Sequence, residues 1–528
     1  MSLGSTGAGA GAADGGGGAA PAVRRRPDRG LLCAWLVPAL VAALTTAWRY
    51  DAKPLWRDEF YTLGTAVREY GVMLRGLRVT DAGMGPWYVL MRPWVLLSQS
   101  EAWLRLPSAV AGVLAAALAG LLAHHVVKNH VVKNHVVKNH VVKRHVVEDS
   151  VLRAAAPLAG AVAGVLFTLT PIVVRHSQEA RPYPVLAACA VATAYGLLRD
   201  RGAPRARWLL LWAAAATLAA ALHVLTGAPA VLAMVGVAFL APGRARRRRF
   251  LAGGLPPLAV AAAMVAVGMS QAPNRIGEDF PLLRRSLGLW HSYAAAPAAL
   301  GGLLLLWGAG ALALRRCPPV LALLAAGTLA PVAAVVASAA AGQLFEARYT
   351  VAAAPALAVL AGVGAAGIAV ARRRTAPTAV AALALVGLVA AGQAPRLVAH
   401  RQQPFVVDDP RSAAAALAAR ARPGDAVVFL GNTDRPMLRH HLPAGVGLDD
   451  VLLVRDPSVS VSIGGDDLTG PQRAAALAGR ERVWVVGTEH FVPWEEMFAG
   501  PVRDARAGRA LAYGESFGRF RVELWTAP

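Results

Sequence analysis

Long apolar runs separated by short arginine clusters decide most of what this chain can fold into. Residues 31–48 form the first run. Others follow at 106–123, 154–174, 183–198, 208–222, 225–240, 251–269, 294–314, 320–341, 351–371 and 379–394. Several approach the ~20 residues that a helix needs to cross about 30 Å of hydrocarbon. With 56% of 528 residues hydrophobic and 16% charged, and a mean hydropathy of +0.46, too little polar surface exists to cover a soluble protein of this length. The sequence predicts a polytopic α-helical membrane protein with about eleven spans.

The formal charge of +23 is spread rather than gathered into one basic domain. Arginine clusters at 24–26, 199–207, 244–249, 315–316 and 372–374 fall between runs, all on one side of the predicted topology. That is the pattern of cytoplasmic loops, so the partner they imply is the lipid bilayer of a cell membrane and not nucleic acid. This orientation places the N-terminus in the cytoplasm and the C-terminal part outside. Residues 1–29 read as a disordered, basic leader. A signal peptide is the rival for the first run, but its length and the lack of a small-residue cleavage site favour a retained anchor. Cys33, Cys189 and Cys317 have no paired spacing and support neither a disulfide framework nor a cysteine metal site.

The transmembrane domain is expected over 30–395, with a first external loop at 49–105. Within that loop, Gly85 to Leu97 mixes Trp87, Tyr88, Arg92 and Trp94 into a short apolar stretch, as an amphipathic segment on the outer leaflet would. A loop at 124–153 carries the five-residue repeat HVVKN. On an α-helix, that period turns successive histidines by about 140°, so no single metal-binding face is expected there. Residues 396–528 read as an extracytoplasmic α/β domain, with a helix at 409–421 and strands at 425–431, 451–454 and 483–486. Neither GxGxxG nor a P-loop follows those strands.

Polar residues near the spans concentrate in three outward segments: Asp58-Glu59, Arg175 to Tyr183, and Glu346 to Tyr349. One supplies carboxylates and the others arginines and tyrosines. Such a set suits a reaction in which a carboxylate takes a hydroxyl proton while guanidinium forks hold a departing phosphate. Each segment alone reads equally well as an interfacial ion pair closing the bundle. Their convergence on one side shifts the balance toward a site. The loop 270–293, with Asn274, Arg275, Glu278, Asp279, Arg284, Arg285 and His291, reads as a cover for the site or as an ordinary solvated loop. His223 and Trp290 read as packing or interfacial residues.

The stretches WRDEFYT at 56–62, MGPWYVLMRPW at 84–94, RLPSAVAG at 105–112, SQEARPYPVL at 177–186 and EARYTVAAAPAL at 346–357 resemble, in order and placement, the GT-C membrane glycosyltransferases. The likeness is to the family 39-like group of protein mannosyltransferases and aminoarabinose transferases. The resemblance implies an inverting transfer from a polyprenyl-phosphate sugar donor, mannose being the first expectation, to an external protein, glycolipid or polysaccharide. It implies catalytic Asp58 with Glu59 beside it, and donor-phosphate binding by Arg181 and Arg348 braced by Tyr183 and Tyr349. Asp81, Arg57, Glu179 and Arg92 are further substrate-binding candidates. The family's His-Pro-Pro or Lys-Pro-like element is here Asp81-Ala82-Gly83-Met84-Gly85-Pro86, where Asp81 is the candidate substitute. No cofactor is required; a divalent cation could be shared by carboxylate and phosphate, but no dedicated ligand set is visible. The alternatives are arabinosyl or aminoarabinosyl transfer by the same architecture, and a transporter or flippase of lipid-linked sugars.

Overall fold

The computed structural model describes residues 29–132, 146–240, 244–271, 281–342, 345–370, 376–402, 408–489 and 493–528. The leader, most of the HVVKN repeat, Arg372 to Arg374, and Asn274, Arg275, Glu278 and Asp279 lie outside them.

Among the described residues, seven helices are long and apolar enough to cross a membrane. They belong to α1 (Arg29–Ala47), α5 (Glu101–Val126), α11 (Arg244–Met269), α13 (Pro297–Leu314), α14 (Pro318–Ala340), α15 (Ala354–Ala369, with the 3-10 turn Ala347–Ala353 before it) and α16 (Ala376–Gln402). Four more, α6 (Val146–Leu169), α8 (Tyr183–Gly202), α9 (Ala206–Leu222) and α10 (Gly227–Phe239), fill out the bundle of a polytopic membrane protein. Alanine and glycine let these helices approach closely, which matters where no hydrophobic effect drives them together. A Cβ added at Gly120 would meet the Ala34 carbonyl oxygen at 2.0 Å, and one at Gly364 would meet that of Leu306 at 1.9 Å.

Residues 49–105 form three short helices, where the sequence suggested one amphipathic segment: α2 (Arg57–Ala66), α3 (Tyr70–Val79) and α4 (Gly85–Val95). Trp94 stacks on Trp103 with ring centres 4.0 Å apart, fixing α4 against the start of α5. A short helix, α7 (Pro171–His176), follows α6.

Where the HVVKN repeat is described, Val127 to Val132 is a π-helix, hydrogen-bonded i→i+5, and not the α-helix expected. The His125 and His130 rings lie 6.5 Å apart, and no group of three metal-ligating side chains among the described residues includes them. The expected domain boundary at 395/396 also falls inside a helix, because α16 continues to Gln402.

The C-terminal domain is α/β. Its sheet has the order β1-β4-β6-β5, from β1 (Ala426–Phe429), β4 (Arg482–Thr488), β5 (Ala510–Phe517) and β6 (Phe520–Thr526). β1 and β4 are parallel and the other pairings antiparallel. Buried Trp484, Trp494 and Phe520 fill its core. Asp409 caps the helix α17 (Pro410–Ala418) by accepting from the Ser412 amide at 3.0 Å. The expected strand near 451–454 is the short β2 (Leu453–Arg455), paired outside the main sheet with β3 (Asp466–Asp467). The β5–β6 hairpin was not anticipated. It turns through Gly518-Arg519, and Gly518 has a φ of 63°, where glycine carries no Cβ penalty.

This domain docks on the first loop. Arg68 donates to the carbonyls of Val461, at 2.9 Å, and Ser462. Tyr61 and Asn432 are hydrogen-bonded, and Arg411 reaches Glu101 at 2.5 Å.

Candidate functional site

The site begins where α2 begins. Its first turn carries Asp58 and Glu59, favoured there by the unpaired amides and the positive end of the helix dipole. Glu59 reaches back to accept from the Trp56 amide at 3.2 Å. The two neighbouring carboxylates then diverge in both environment and use.

Glu59 turns inward and is 1% exposed. Its oxygens accept from Arg105 Nε at 2.8 Å and Nη2 at 2.7 Å, and from the Ala180 amide at 2.8 Å. Arg105 also donates to the carbonyls of Lys53 and Pro54. The catalytic expectation for Glu59 is thereby corrected: its acceptor capacity is taken up by the scaffold. The same holds for Arg92, which donates to the carbonyls of Ala66, Val67 and Arg68 at the end of α2 and lies 3.5 Å from Glu69. It caps a helix and is not aimed at a substrate.

Asp58 faces the other way. Arg348 Nη1 donates to its Oδ2 at 2.7 Å, and Arg181 Nη2 stands 3.8 Å from the same oxygen. Arg181 also donates to the Asp58 carbonyl at 3.2 Å. The side chains are 19% exposed for Asp58, 14% for Arg348 and 8% for Arg181, so a largely dry site still opens to the outside at the carboxylate.

Arg181 lies on an irregular segment, 177–182, buried beside the spans, where every backbone polar group needs a protein partner. Neighbouring elements supply several. Thr62 and the Trp87 indole donate to the Ala180 carbonyl, and Ser108 donates to that of Arg181 at 2.7 Å. Arg348 sits on the 3-10 turn ahead of α15, with its guanidinium carbon 5.8 Å from the Trp56 ring centre and 5.8 Å from that of Tyr349. Buried Tyr183 lies under Arg181, 6.0 Å from its guanidinium carbon. His223 packs beside Tyr349, as a packing residue would. The Nε atoms of Arg181 and Arg348 and the Trp56 indole N–H are buried without a hydrogen-bond partner among the described residues. These are donors suited to an anion with several acceptor oxygens.

Asp81 joins this group. Held in the left-handed conformation at φ 57°, it accepts from the Tyr88 hydroxyl. Burial raises its carboxyl above the ordinary range; Arg181 works against this and Asp58 adds to it. Gln271, at the end of α11, fixes this corner by bonding the Ala82 amide and the Leu77 carbonyl.

Glu179 lies behind the site, with His176 Nδ1 at 2.6 Å and Arg175 Nε at 3.6 Å. Burial opposes its charge, but the bond from His176 and the Arg175 and Arg348 guanidinium groups hold its carboxyl down to about 2. It lines a cleft with Lys53, Trp56, Arg175 and Asp408, one side of which is closed by Glu59 and Arg105. Burial and then Arg401 lower the Lys53 amine to about 8. The Arg57 charge acts on the carboxyls of Asp408 and Asp434 of the C-terminal domain.

The structure thus brings Asp58, Arg181, Arg348, Tyr183, Tyr349 and Asp81 together, and leaves Glu59, Arg92 and Arg57 in other surroundings. Trp56, Tyr88 and Arg105 were quoted in motifs but given no role by sequence reasoning. Their placement depends on contacts between residues far apart in the chain. Among the described residues, no group of three metal-ligating side chains converges on Asp58.

No protein-family model matches the chain, and no curated protein sequence does. Among solved structures, ArnT from Cupriavidus metallidurans in the apo state superposes with a TM-score of 0.53 at 15% identity, covering 94% of this chain and 98% of that one. The same protein bound to undecaprenyl phosphate gives 0.47 at 14% identity over the same shares. At such identity the likeness is one of fold: the chain has an ArnT-like fold.

Proposed function

We propose that this protein is a membrane glycosyltransferase that moves a sugar from a polyprenyl-phosphate donor to an extracytoplasmic acceptor with inversion. The observation that carries the reading is one carboxylate, Asp58, shared by two largely buried arginines whose Nε donors are otherwise unpartnered. In the proposed step, the acceptor hydroxyl oxygen forms a bond to the anomeric carbon while that carbon's bond to the phosphate oxygen breaks. Asp58 takes the hydroxyl proton, and the electron pair of the broken bond leaves with the lipid phosphate. Arg181 and Arg348 stabilise the charge that gathers on that phosphate, acting in a site where water is scarce.

Trp56 adds a donor beside Arg348, and Tyr183 and Tyr349 brace the two guanidinium groups. Asp81 and Tyr88 supply polar contacts at the near edge, where an acceptor or sugar hydroxyl would lie. The fold supports the architecture such a reaction uses. It favours no particular sugar, so pentosyl and aminopentosyl donors stand beside the mannosyl one.

The test uses membranes containing wild type or Asp58→Asn, supplied with radiolabelled polyprenyl-phosphate mannose and then with pentose donors. Label is followed into protein, glycolipid and polysaccharide. Label entering one fraction with wild type only, and falling at least ~100-fold with Asp58→Asn, is expected. Equal transfer by the variant removes Asp58 from the chemistry. If wild type transfers no label from any intact donor, the proposal fails and movement of lipid-linked sugar becomes the reading to pursue.

A further inference from the structure

The docking surface between the C-terminal domain and the bundle holds a second constellation that the reaction above does not use. Helix α18 (Asp434–His441) ends in two adjacent histidines, and α5 begins at Glu101. Ligand atoms of Glu101, His440 and His441 all lie within 4.8 Å of one another. We propose that these three residues bind a divalent transition-metal ion, zinc by donor type, which staples the C-terminal domain to the bundle.

Three features support a built site. First, His441 Nε2 is buried and finds no hydrogen-bond partner among the described residues, yet it stands 3.7 Å from Glu101 Oε1 on a side chain only 8% exposed. That separation is too long for a hydrogen bond. It is near the roughly 3.4 Å between two ligands that each lie ~2.0–2.1 Å from one tetrahedral zinc.

Second, Arg411 donates to the other Glu101 oxygen at 2.5 Å and the Leu55 backbone also bonds the carboxylate, which together orient it. Third, the imidazoles are held by packing. Phe60 meets both edge-on, at 5.5 and 6.2 Å, and the two rings are T-shaped at 4.9 Å. Two imidazoles and one carboxylate form a donor set that suits zinc, with a fourth position for water.

The consequence is architectural. Glu101 lies one helical turn before Arg105, which pins Glu59 next to Asp58. An ion here ties the C-terminal domain to the turn of helix that sets the first loop's geometry. This proposal does not depend on the nature of the reaction.

The test is made on the full chain in detergent, stripped with a chelator and re-equilibrated with limiting zinc. Metal per chain is measured for wild type, His440→Gln, His441→Gln and Glu101→Gln. The histidines of the HVVKN repeat give a common background, so the differences are read. Wild type should retain about one more tightly held zinc per chain than each variant. Zinc should slow proteolytic release of the C-terminal domain in wild type alone, and cobalt should give a tetrahedral absorption spectrum that the variants lack. Gel filtration establishes that the variants are folded. Equal zinc content in all four proteins, or a loss confined to the histidine variants, overturns the three-ligand site.

Discussion

At the scale of single residues, the neighbours Asp58 and Glu59 show how one turn of helix sends two carboxylates into different surroundings. Their side chains leave the helix about 100° apart. One meets the half-open arginine pair and the other the buried Arg105 fork. Removing one partner of a buried ion pair strands the other charge and costs about 3–5 kcal/mol. Glu59→Gln is therefore expected to lower the yield and thermal midpoint of detergent-extracted protein more than Asp58→Asn, which strands two largely buried arginines but at a partly exposed carboxylate, and which should remove transfer. A Glu59→Gln protein as stable as wild type would show that the Arg105 pair is dispensable. The adjacency of the two acids was legible in the sequence, and so was their place just beyond the first apolar run. Their division of labour was not, because Arg105 is 46 positions away and reads locally as part of a hydrophobic helix start. Asp81 is the converse case. A departure from the family motif at that position proved to lie beside Tyr88, with Arg181 acting on its charge.

At the scale of elements, the spans were the most legible feature because hydropathy alone defines them. What hydropathy does not register is how closely the helices pack. Gly364 and Gly310 lie where α15 and α13 cross, and a Cβ at Gly364 would fall 1.9 Å from the Leu306 carbonyl oxygen and 3.0 Å from the Gly310 nitrogen. Those are backbone atoms and cannot swing aside. Gly364→Ala should therefore destabilise the bundle by about 1–3 kcal/mol or more. Gly308→Ala on the same α13, with nothing within 4 Å, should be neutral or slightly stabilising. Thermal melts of the two variants in one detergent check the contrast; equal midpoints would mean that the helices can separate without cost. The β5–β6 hairpin was missed at this scale, although Gly518-Arg519 between Phe517 and Phe520 is a readable turn signal. The alternation along β5 is weak because that edge strand is mostly exposed. The first loop resolved into three helices that pack on one another, α2 and α3 against α4, with α2 also meeting α18 of the C-terminal domain.

At the scale of the whole molecule, the C-terminal domain and the membrane bundle share charged groups. Asp408 sits at their junction, 3% exposed, and burial followed by repulsion from Asp434 raises its carboxyl to about 6. A carboxyl raised from an unfolded value near 3.9 favours the folded state below that value. Its contribution is lost as pH rises through the folded value. At neutral pH the charged Asp408 thus costs about 3 kcal/mol, so Asp408→Asn should raise the thermal midpoint at pH 7.5 and leave it nearly unchanged at pH 4. A stabilisation equal at both values would point to packing instead of charge. Orientation also belongs to this scale. Arg249 pairs with Asp200 at 2.8 Å and bonds the Arg205 carbonyl, which joins two of the basic clusters at one end of the bundle. The Cys317 thiol lies 3.6 Å from the His130 carbonyl, and His125 meets Tyr195 at 5.7 Å, so the third cluster and the start of the repeat lie at that same end. The Asp58 site and the docked domain lie at the other. Positive charge tends to be retained on the cytoplasmic side, so the site end is expected to be extracytoplasmic. In a Cys317→Ser background, a membrane-impermeant maleimide applied to intact cells should label Ser458→Cys on the exposed tail and spare Arg316→Cys until the membrane is opened. The reverse pattern would put the site in the cytoplasm, and with it the acceptor.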